Sequence, residues 1–367
     1  MGSGTLQGGR EFSSDLLSAV EATIAADGPH QRIVECGPLE VNGFSICFWA
    51  TLIGPAGVKQ VYVKVPKVIF HEKEKAIIGS FSAEDVELAE DEYESLSYLS
   101  RHWGNTNIDV QFVTPLGFIK EFNAIITERI KGRHFFHQYR KSDLFRRLLG
   151  PSRSDPVQEA MSRLGEALAQ FHKRSHGVVA CNVENILEKI QSYLLKLRDF
   201  GVDGTYLDGI VQRFRGLREL RFSSRRAVNL KGIDIRQVFI DQDNRLYLLD
   251  PGKMKDGFRE VDLARFLVTC RILYWGSSAI LFRLTPSTDY EENFLSAYRQ
   301  SNDISEIGLG ILIIKELFKH WVMAHTSLKK RRWPRAYKML LNKVYMDRFY
   351  RHQISVELSR WEASSGL

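Results

Sequence analysis

Gly232-Ile-Asp-Ile-Arg-Gln-Val-Phe-Ile-Asp241-Gln-Asp-Asn-Arg-Leu246-Tyr-Leu-Leu-Asp250-Pro-Gly252 is the most informative stretch of the chain. Val238–Asp241 and Arg245–Asp250 alternate as strands do, and Gln242-Asp243-Asn244 between them are turn formers, so the stretch predicts a tight hairpin. A loop acid, Asp234, precedes it, and a second acid, Asp250, ends its return strand. Two acids gathered by one hairpin can serve as a base for a hydroxyl and a ligand for Mg²⁺, an ion that needs only one or two carboxylates beside substrate phosphates. Aspartates are also ordinary turn residues. Against that plainer use, Asp250 follows the apolar run Leu246–Leu249, where an uncompensated carboxylate would be costly.

Upstream, Lys59-Gln-Val-Tyr-Val-Lys64-Val-Pro66 reads as a strand with Lys64 between two valines. A lysine there must snorkel to water or meet a carboxylate. Glu92, in Glu92-Tyr-Glu-Ser-Leu-Ser-Tyr-Leu99, is the candidate partner on the next helix. Such a pair presents a cation to the α- and β-phosphates of ATP; a solvent-facing lysine and a solvated acidic helix is the competing reading. Ile125-Ile-Thr-Glu128-Arg-Ile130-Lys-Gly132 is an apolar strand with a polar, glycine-closed end. It suits a hinge whose backbone groups, around Glu128 and Ile130, hydrogen-bond an adenine ring. His172, in Leu168-Ala-Gln-Phe-His172, reads as a core histidine more readily than as a ligand.

The surrounding pattern gives the organisation. Val41–Ile53 and Gln60–Val65 form a hairpin around Gly54-Pro-Ala-Gly57, Ser82–Arg101 is an amphipathic helix, and short strands follow at 109–115, 116–120 and 124–128. After Gly132 helical periodicity dominates: 158–173, 182–200, 206–219 and nearly everything beyond Val261. We therefore expect an α+β protein of two lobes. Residues 1–30 would be an N-terminal extension, 31–132 a small β-rich nucleotide-binding lobe and 133–310 a larger helical catalytic lobe carrying the hairpin. Residues 311–367 would be a basic, aromatic-rich helical region.

Taken together, Lys64, Glu92, the hinge, the Leu-Ala-x-x-His helix, the Asp234 loop, Asp250-Pro-Gly and Val261-Asp-Leu-Ala-Arg-Phe-Leu267 resemble a protein-kinase-like fold in this order. The chain is most similar to its small-molecule branch: aminoglycoside phosphotransferases, choline kinases and lipopolysaccharide core sugar kinases. The Asp-Leu-Ala segment and Phe294-Leu-Ser-Ala-Tyr298 add to that likeness, which spans roughly residues 35–300. It implies ATP and Mg²⁺ as cofactors, with Lys64 on the phosphates, Glu92 holding it, Asp250 and Gln237 on the metal and Asp234 orienting the acceptor hydroxyl. That acceptor would be a hydroxyl of a small molecule or glycan, a lipopolysaccharide or glycolipid sugar among the candidates.

The chain departs from the family pattern in three places. Only Gly37 and Gly43 stand near the expected phosphate loop. The family's His-Gly-Asp-x-x-x-x-Asn is here Lys231-Gly-Ile-Asp-Ile-Arg-Gln-Val-Phe239, and Asp-Phe-Gly is Asp-Pro-Gly. Counting back from Asp250 without gaps puts Gln237 in the Asn slot but Gly232 in the base position. Taking Asp234 as the base needs a loop two residues shorter for Gln237 to fill that slot, and this is the alignment we favour. The departures keep open a second reading, a pseudokinase that binds a nucleotide or a partner and transfers nothing. A protein kinase fits less well, because no Ala-Pro-Glu segment follows Asp250.

The 367 residues are 44% hydrophobic, 26% charged and 11% aromatic, which excludes a disordered chain and a disulfide scaffold. Cys36, Cys47, Cys181 and Cys270 are far apart and form no CxxC, so free thiols in a reducing compartment are expected. The longest apolar run, Ile307–Ile314, is far short of a span, and the apolar stretch after Leu16 has no basic lead, so a cytoplasmic protein is expected. The net charge of +7 is localised: Lys329–Arg351 holds nine basic residues against one acid, Asp347, which leaves the remaining chain at −1. Trp321, Trp333, Tyr337, Tyr345, Phe349 and Tyr350 lie in or beside that stretch. Basic aromatic helices dock on anionic membranes or stack on single-stranded nucleic acid, and a solvated face over a buried one is the plainer reading. We favour residues 329–351 as a peripheral contact with the inner face of an anionic membrane over a nucleic-acid interface.

Overall fold

The computed structural model describes residues 14–25, 31–41, 45–55, 57–67, 81–103, 109–149, 155–173, 178–215, 221–230, 233–275, 289–330 and 333–365. In chain order the first part contains α1 (Ser14–Ala25), β1 (Arg32–Cys36), β2 (Glu40–Val41), β3 (Ser45–Gly54), β4 (Gly57–Pro66) and α2 (Ala83–Trp103). It continues with β5 (Val110–Phe112), β6 (Pro115–Ile119), β7 (Ala124–Glu128) and β8 (Gly132–His134). Then come α3 (Phe135–Leu149), α4 (Pro156–Lys173), β9 (Val178–Asn182), α5 (Val183–Asp199), α6 (Gly204–Arg215) and β10 (Arg221–Leu230). The hairpin β11 (Val238–Asp241) and β12 (Leu246–Leu248) leads to β13 (Met254–Phe258) and α7 (Glu260–Trp275). The chain ends with α8 (Asp289–Arg299), α9 (Glu306–Lys330), α10 (Arg335–Leu340) and α11 (Asp347–Ser365), a wide helical turn at Leu341–Met346 joining the last two.

These elements form two compact units: residues 1–134, 230–232 and 237–254, and residues 135–229, 233–236 and 255–367. In the first, β1-β3-β4-β7-β6 make an antiparallel sheet, with β2 beside β3. The β3–β4 hairpin pairs without a slip from Ser45 opposite Pro66 to Gly54 opposite Gly57. Strand alternation turns Val61, Val63 and Val65 into the core, where they meet Ile46, Phe48, Ala50 and Leu52. Leu16, Val20 and Ile24 of α1, spaced four apart on one helix face, complete that core. Burying such aliphatic side chains contributes roughly 1.5–3 kcal/mol each. Residues 14–25 are therefore part of this unit and not an extension ahead of it. Residues 1–13 lie outside the described part.

On α2, Ser82 Oγ accepts the Asp85 N–H at 3.1 Å while Asp85 Oδ2 accepts the Ser82 N–H at 3.0 Å, a reciprocal cap that sets where the helix begins. A second sheet, β5-β12-β11-β8, holds the 238–248 hairpin in this same unit, with β12 parallel to β5. Sequence reading had the hairpin embedded in the helical lobe. It groups with the β-rich unit because β5 and β8 satisfy its two open edges. The close pairing depends on Gly132: a Cβ there would stand 2.3 Å from the Ile240 carbonyl oxygen. The turn is shaped by Asp241, whose Oδ1 accepts the N–H groups of Asp243 (2.9 Å) and Arg245 (2.8 Å), and by Asn244 at φ 61°. Asp241 thus shapes the turn that closes the hairpin.

The second unit is helical, apart from a sheet β13-β10-β9 that periodicity does not reveal. Arg221-Phe-Ser-Ser-Arg-Arg-Ala-Val-Asn-Leu230 is too polar to read as a strand, and its pairing with β9 is supplied by tertiary structure. α4 and α8 pack closely because Gly165 lacks a Cβ, which would stand 2.2 Å from the Phe294 carbonyl oxygen. His172 is fully buried on α4: Nδ1 lies 2.7 Å from the Tyr298 hydroxyl and Nε2 3.2 Å from Asp262 Oδ2. It is a core histidine tying α4, α7 and α8. α9 runs unbroken through position 310, with Ile311, Leu312, Ile314, Leu317, Phe318 and Trp321 buried. The C-terminal helices consequently belong to this unit's core, and a boundary at 310/311 does not exist.

Candidate active site

Strand alternation on β4 that sends the valines inward sends Tyr62 and Lys64 to the opposite face. There Lys64 Nζ lies 2.6 Å from Glu92 Oε1 and 2.9 Å from Asp250 Oδ2. Sequence reading supplied the three residues; the structure brings them together within the first unit. Glu92 is buried on α2 beside Ala89 and Leu96, while the side chains of Lys64 and Asp250 keep 19% and 27% of their surface open. That opening lets a solute reach both charges.

Asp250 is placed by contacts that sequence alone does not announce. Its Oδ1 accepts the Gly252 N–H at 3.1 Å across the Asp-Pro-Gly turn. Beyond the turn, Lys253 pairs with Asp91 (2.7 Å) and Glu87 (3.2 Å), and Ser95 Oγ accepts the Met254 N–H at 3.3 Å. All three partners lie on α2, so the helix that carries Glu92 also anchors the Asp250 segment. The i, i+4, i+8 spacing of Glu87, Asp91 and Ser95 was the available signal.

The electrostatics follow from crowding. Burial alone would depress the Lys64 ammonium, but Asp250 and Glu92 raise it above the ordinary lysine range. Burial and the Asp250 charge push Glu92 up to about 7, against the opposing pull of Lys64. Unfolded, Glu92 ionises near 4.5, so between there and about 7 the folded state binds more protons. The protonated group's stabilising contribution is full below 4.5 and is lost as pH rises through 7. Glu92→Gln is expected to remove this dependence, worth about 3 kcal/mol over the window. Urea unfolding at several pH values measures it, and equal slopes for variant and wild type would refute the shift.

A metal ion fits this arrangement only in one form. Among the described residues no group of three or more His, Cys, Asp and Glu side chains could cage one. Asp250, with one protein donor on each oxygen, retains lone pairs and exposure. One carboxylate is enough for Mg²⁺ when phosphates complete its shell. Gln237 sits at the same end of the hairpin, its carbonyl accepting the Leu249 N–H at 2.9 Å.

The hinge residues divide. Glu128 commits its N–H to the Thr114 carbonyl (2.9 Å), and its carboxylate accepts from the Thr114 N–H and Oγ1, each at 2.9 Å. Arg129 donates its N–H to Gln60 at 3.1 Å and lays its guanidinium 3.9 Å over the Trp49 ring. Glu128 is therefore a strut between strands, not an open donor for an adenine. Ile130 packs against the cluster of Ala89, Leu96, Val113, Ile125 and Tyr247.

Asp234 belongs to the second unit. A single 3-10 turn, Ile235–Gln237, separates it from β11. Its carboxylate is gripped by Arg236: Nε lies 2.9 Å and 3.0 Å from the two oxygens, Nη2 pairs with Oδ2, and the Arg236 N–H adds a bond at 2.8 Å. The Ile235 N–H donates to Thr269 Oγ1 on α7 at 3.4 Å. Sequence reading also missed a charged group on α9. Buried Glu316 accepts from Lys319 (2.9 Å) and Lys315 (3.1 Å), which hold it down at about 2 against the effect of burial. Neighbouring His320 is pushed down to about 4 by burial and Lys319, and it also feels the charges of Arg236 and Asp234. The signal was Lys315-Glu-x-x-Lys-His320 inside an otherwise apolar helix. Gly37 donates its N–H to the Trp49 carbonyl at 2.8 Å within the sheet, and Gly43 lies outside the described residues.

No protein-family model matches the sequence, and no curated protein matches it either. Solved structures do match in fold. The chain is similar to an ethanolamine kinase of Plasmodium vivax, with 10% identity, a TM-score of 0.50 and coverage of 90% of this chain and 83% of that one. It is similar to the ADP-bound aminoglycoside phosphotransferase APH(2'')-Ib, with 13% identity, a TM-score of 0.50 and coverage of 92% and 99%. It is also similar to a macrolide 2'-phosphotransferase of Brachybacterium faecium, with 12% identity, a TM-score of 0.50 and coverage of 90% and 98%. With its β-rich first unit and helical second unit, the chain has the α+β, protein-kinase-like fold of these structures.

Proposed function

We propose that the protein is an ATP-dependent phosphotransferase that acts on a hydroxyl of a small molecule or glycan. The observation that carries this reading is the contact of Lys64 with both Glu92 and Asp250, three charges drawn from a strand, a helix and a hairpin end. Glu92 holds the ammonium in place, and Lys64 neutralises the nucleotide phosphates. Asp250, with Gln237, would hold Mg²⁺, which when bound neutralises charge on the transferring phosphate. Catalysis of this kind rests on positioning and electrostatics, so fixing Lys64 and Asp250 on rigid elements is the protein's main contribution. Ile130 and its apolar neighbours are the proposed contact for the adenine, and Asp234 is the residue proposed to orient the acceptor hydroxyl. The fold neighbours support phosphoryl transfer; glycolipid and lipopolysaccharide sugars stand among the acceptors to be tested.

The Arg236 grip on Asp234 favours a second reading, a nucleotide-binding module that transfers nothing. A guanidinium across both oxygens competes with a hydroxyl for the same lone pairs. Thermal unfolding with Mg-ATP, followed by ATP consumption on sugar, amino-alcohol and glycan acceptors, separates the two. Phosphotransfer predicts stabilisation, about 2.7 kcal/mol at a hundredfold excess over Kd, and turnover on one acceptor class. Stabilisation without turnover selects the binding module, and no stabilisation overturns both.

A further inference from the structure

The six aromatic residues in and before the basic stretch do not share one environment. Trp321, Phe349 and Tyr350 are buried between α9 and α11. Trp333 and Tyr337, their rings edge-to-face at 5.3 Å, are exposed together with Met339, Leu340 and Val344, each 39–56% open. These five are drawn from twelve exposed large apolar residues among the described part of the chain, yet they fall within 333–344. An apolar concentration of this kind in water marks an interaction surface.

The charges around it are sorted in the same sense. Asp347, the only acid of the stretch, is turned into the body: Oδ1 accepts from Trp321 Nε1 at 2.8 Å and lies 2.9 Å from His325 Nε2. This contact also ties the start of α11 to α9. Arg351 is turned inward, over the Tyr206 ring at 4.6 Å and 3.6 Å from Asp203. Lys329, Lys343 and Arg348 remain exposed. Among the described residues of this stretch, exposed apolar side chains and cations thus stand together while its one acid is engaged by Trp321 and His325.

We infer that residues 333–348, with Lys329, dock the protein peripherally on an anionic phospholipid bilayer. Trp333 and Tyr337 lie at headgroup depth, Met339, Leu340 and Val344 enter the acyl boundary, and the lysines face the anionic headgroups. The aliphatic residues distinguish this partner from single-stranded nucleic acid, because they have no π-face on which a base can stack. Among the described residues no helix is long and apolar enough to cross a membrane, so the contact is an interfacial one. The inference goes beyond phosphoryl transfer and needs no nucleotide.

Flotation of the full chain with phosphatidylcholine vesicles, with and without phosphatidylglycerol, is the test. Recovery with the anionic vesicles alone, falling at high salt, is expected. Lys329→Glu with Lys343→Glu is expected to weaken it at least about 25-fold, from roughly 5-fold per lysine. Leu340→Ser weakens binding separately while leaving thermal unfolding unchanged, which excludes misfolding as the cause. Equal recovery on neutral and anionic vesicles overturns the inference, as does wild-type binding by both variants. So does binding to an oligothymidine that Trp333→Ala abolishes while vesicles fail to float the protein. ATP consumption is read separately, so failure of docking and failure of the phosphotransferase reading are distinct results.

Discussion

Asp250→Ala is expected to bring ATP-dependent turnover to background, a loss of at least about 1,000-fold. The carboxylate is proposed to hold the metal, and it is one of two anions that position Lys64 Nζ, at 2.9 Å. Alanine removes both contributions together with the Gly252 N–H contact that shapes the turn. Asp250→Asn is the companion variant, since an amide oxygen can still accept the Gly252 N–H but brings no negative charge. Turnover near zero in both, with unfolding midpoints close to wild type, assigns the loss to charge. Retained turnover in either would remove Asp250 from the metal-binding role.

Arg271→Ala is expected to cost about 3–5 kcal/mol of folding stability. Its guanidinium lies between two buried carboxylates. Nε and Nη2 bond Glu291 at 2.7–3.0 Å, and Nη1 bonds Glu357 at 2.8 Å. The three groups come from α7, α8 and α11 and pin those helices within the second unit. Burial would depress the guanidinium, but Glu291 and Glu357 together raise it well above its usual range. Removing the cation leaves buried Glu291 without this partner, and leaves Glu357 only its contact with Arg360 at 3.1 Å, in a medium that solvates carboxylates poorly. Arg271→Lys should fall between alanine and wild type, because one ammonium cannot span both partners in a planar fork. Denaturant unfolding measures the loss, and a change under about 1 kcal/mol for alanine would contradict the account.

Much of the β-rich unit was legible because its signals are local. The β3–β4 hairpin, the α2 helix and the 238–248 hairpin follow from period-two or helical alternation and turn residues. Lys64 and Glu92 stood out because a charge in an apolar pattern needs a partner. The segments around His172, Asp262 and Tyr298 were marked in sequence, and the structure joins all three in one buried hydrogen-bonded group. The polar strand β10 was not legible, since its stability comes from its neighbours and not from its own pattern. Nor was the engagement of Glu128 by Thr114, which depends on the register of two strands.

By itself the amino-acid sequence determined the α+β class, the order of the β-rich and helical parts, the candidate charges and the localisation of the basic stretch. Each of these is written in residue type and short-range period. Only the tertiary structure decided that α1 and the 237–254 hairpin join the first unit, that Asp234 is gripped by Arg236, and that the C-terminal aromatics split into a buried and an exposed set. It also decided that Asp250 meets a lysine 186 positions away in the chain. The reason is physical: periodicity states which face of an element is apolar, whereas the partner of that face, or of a charge, is chosen by topology among all the surfaces the folded chain presents.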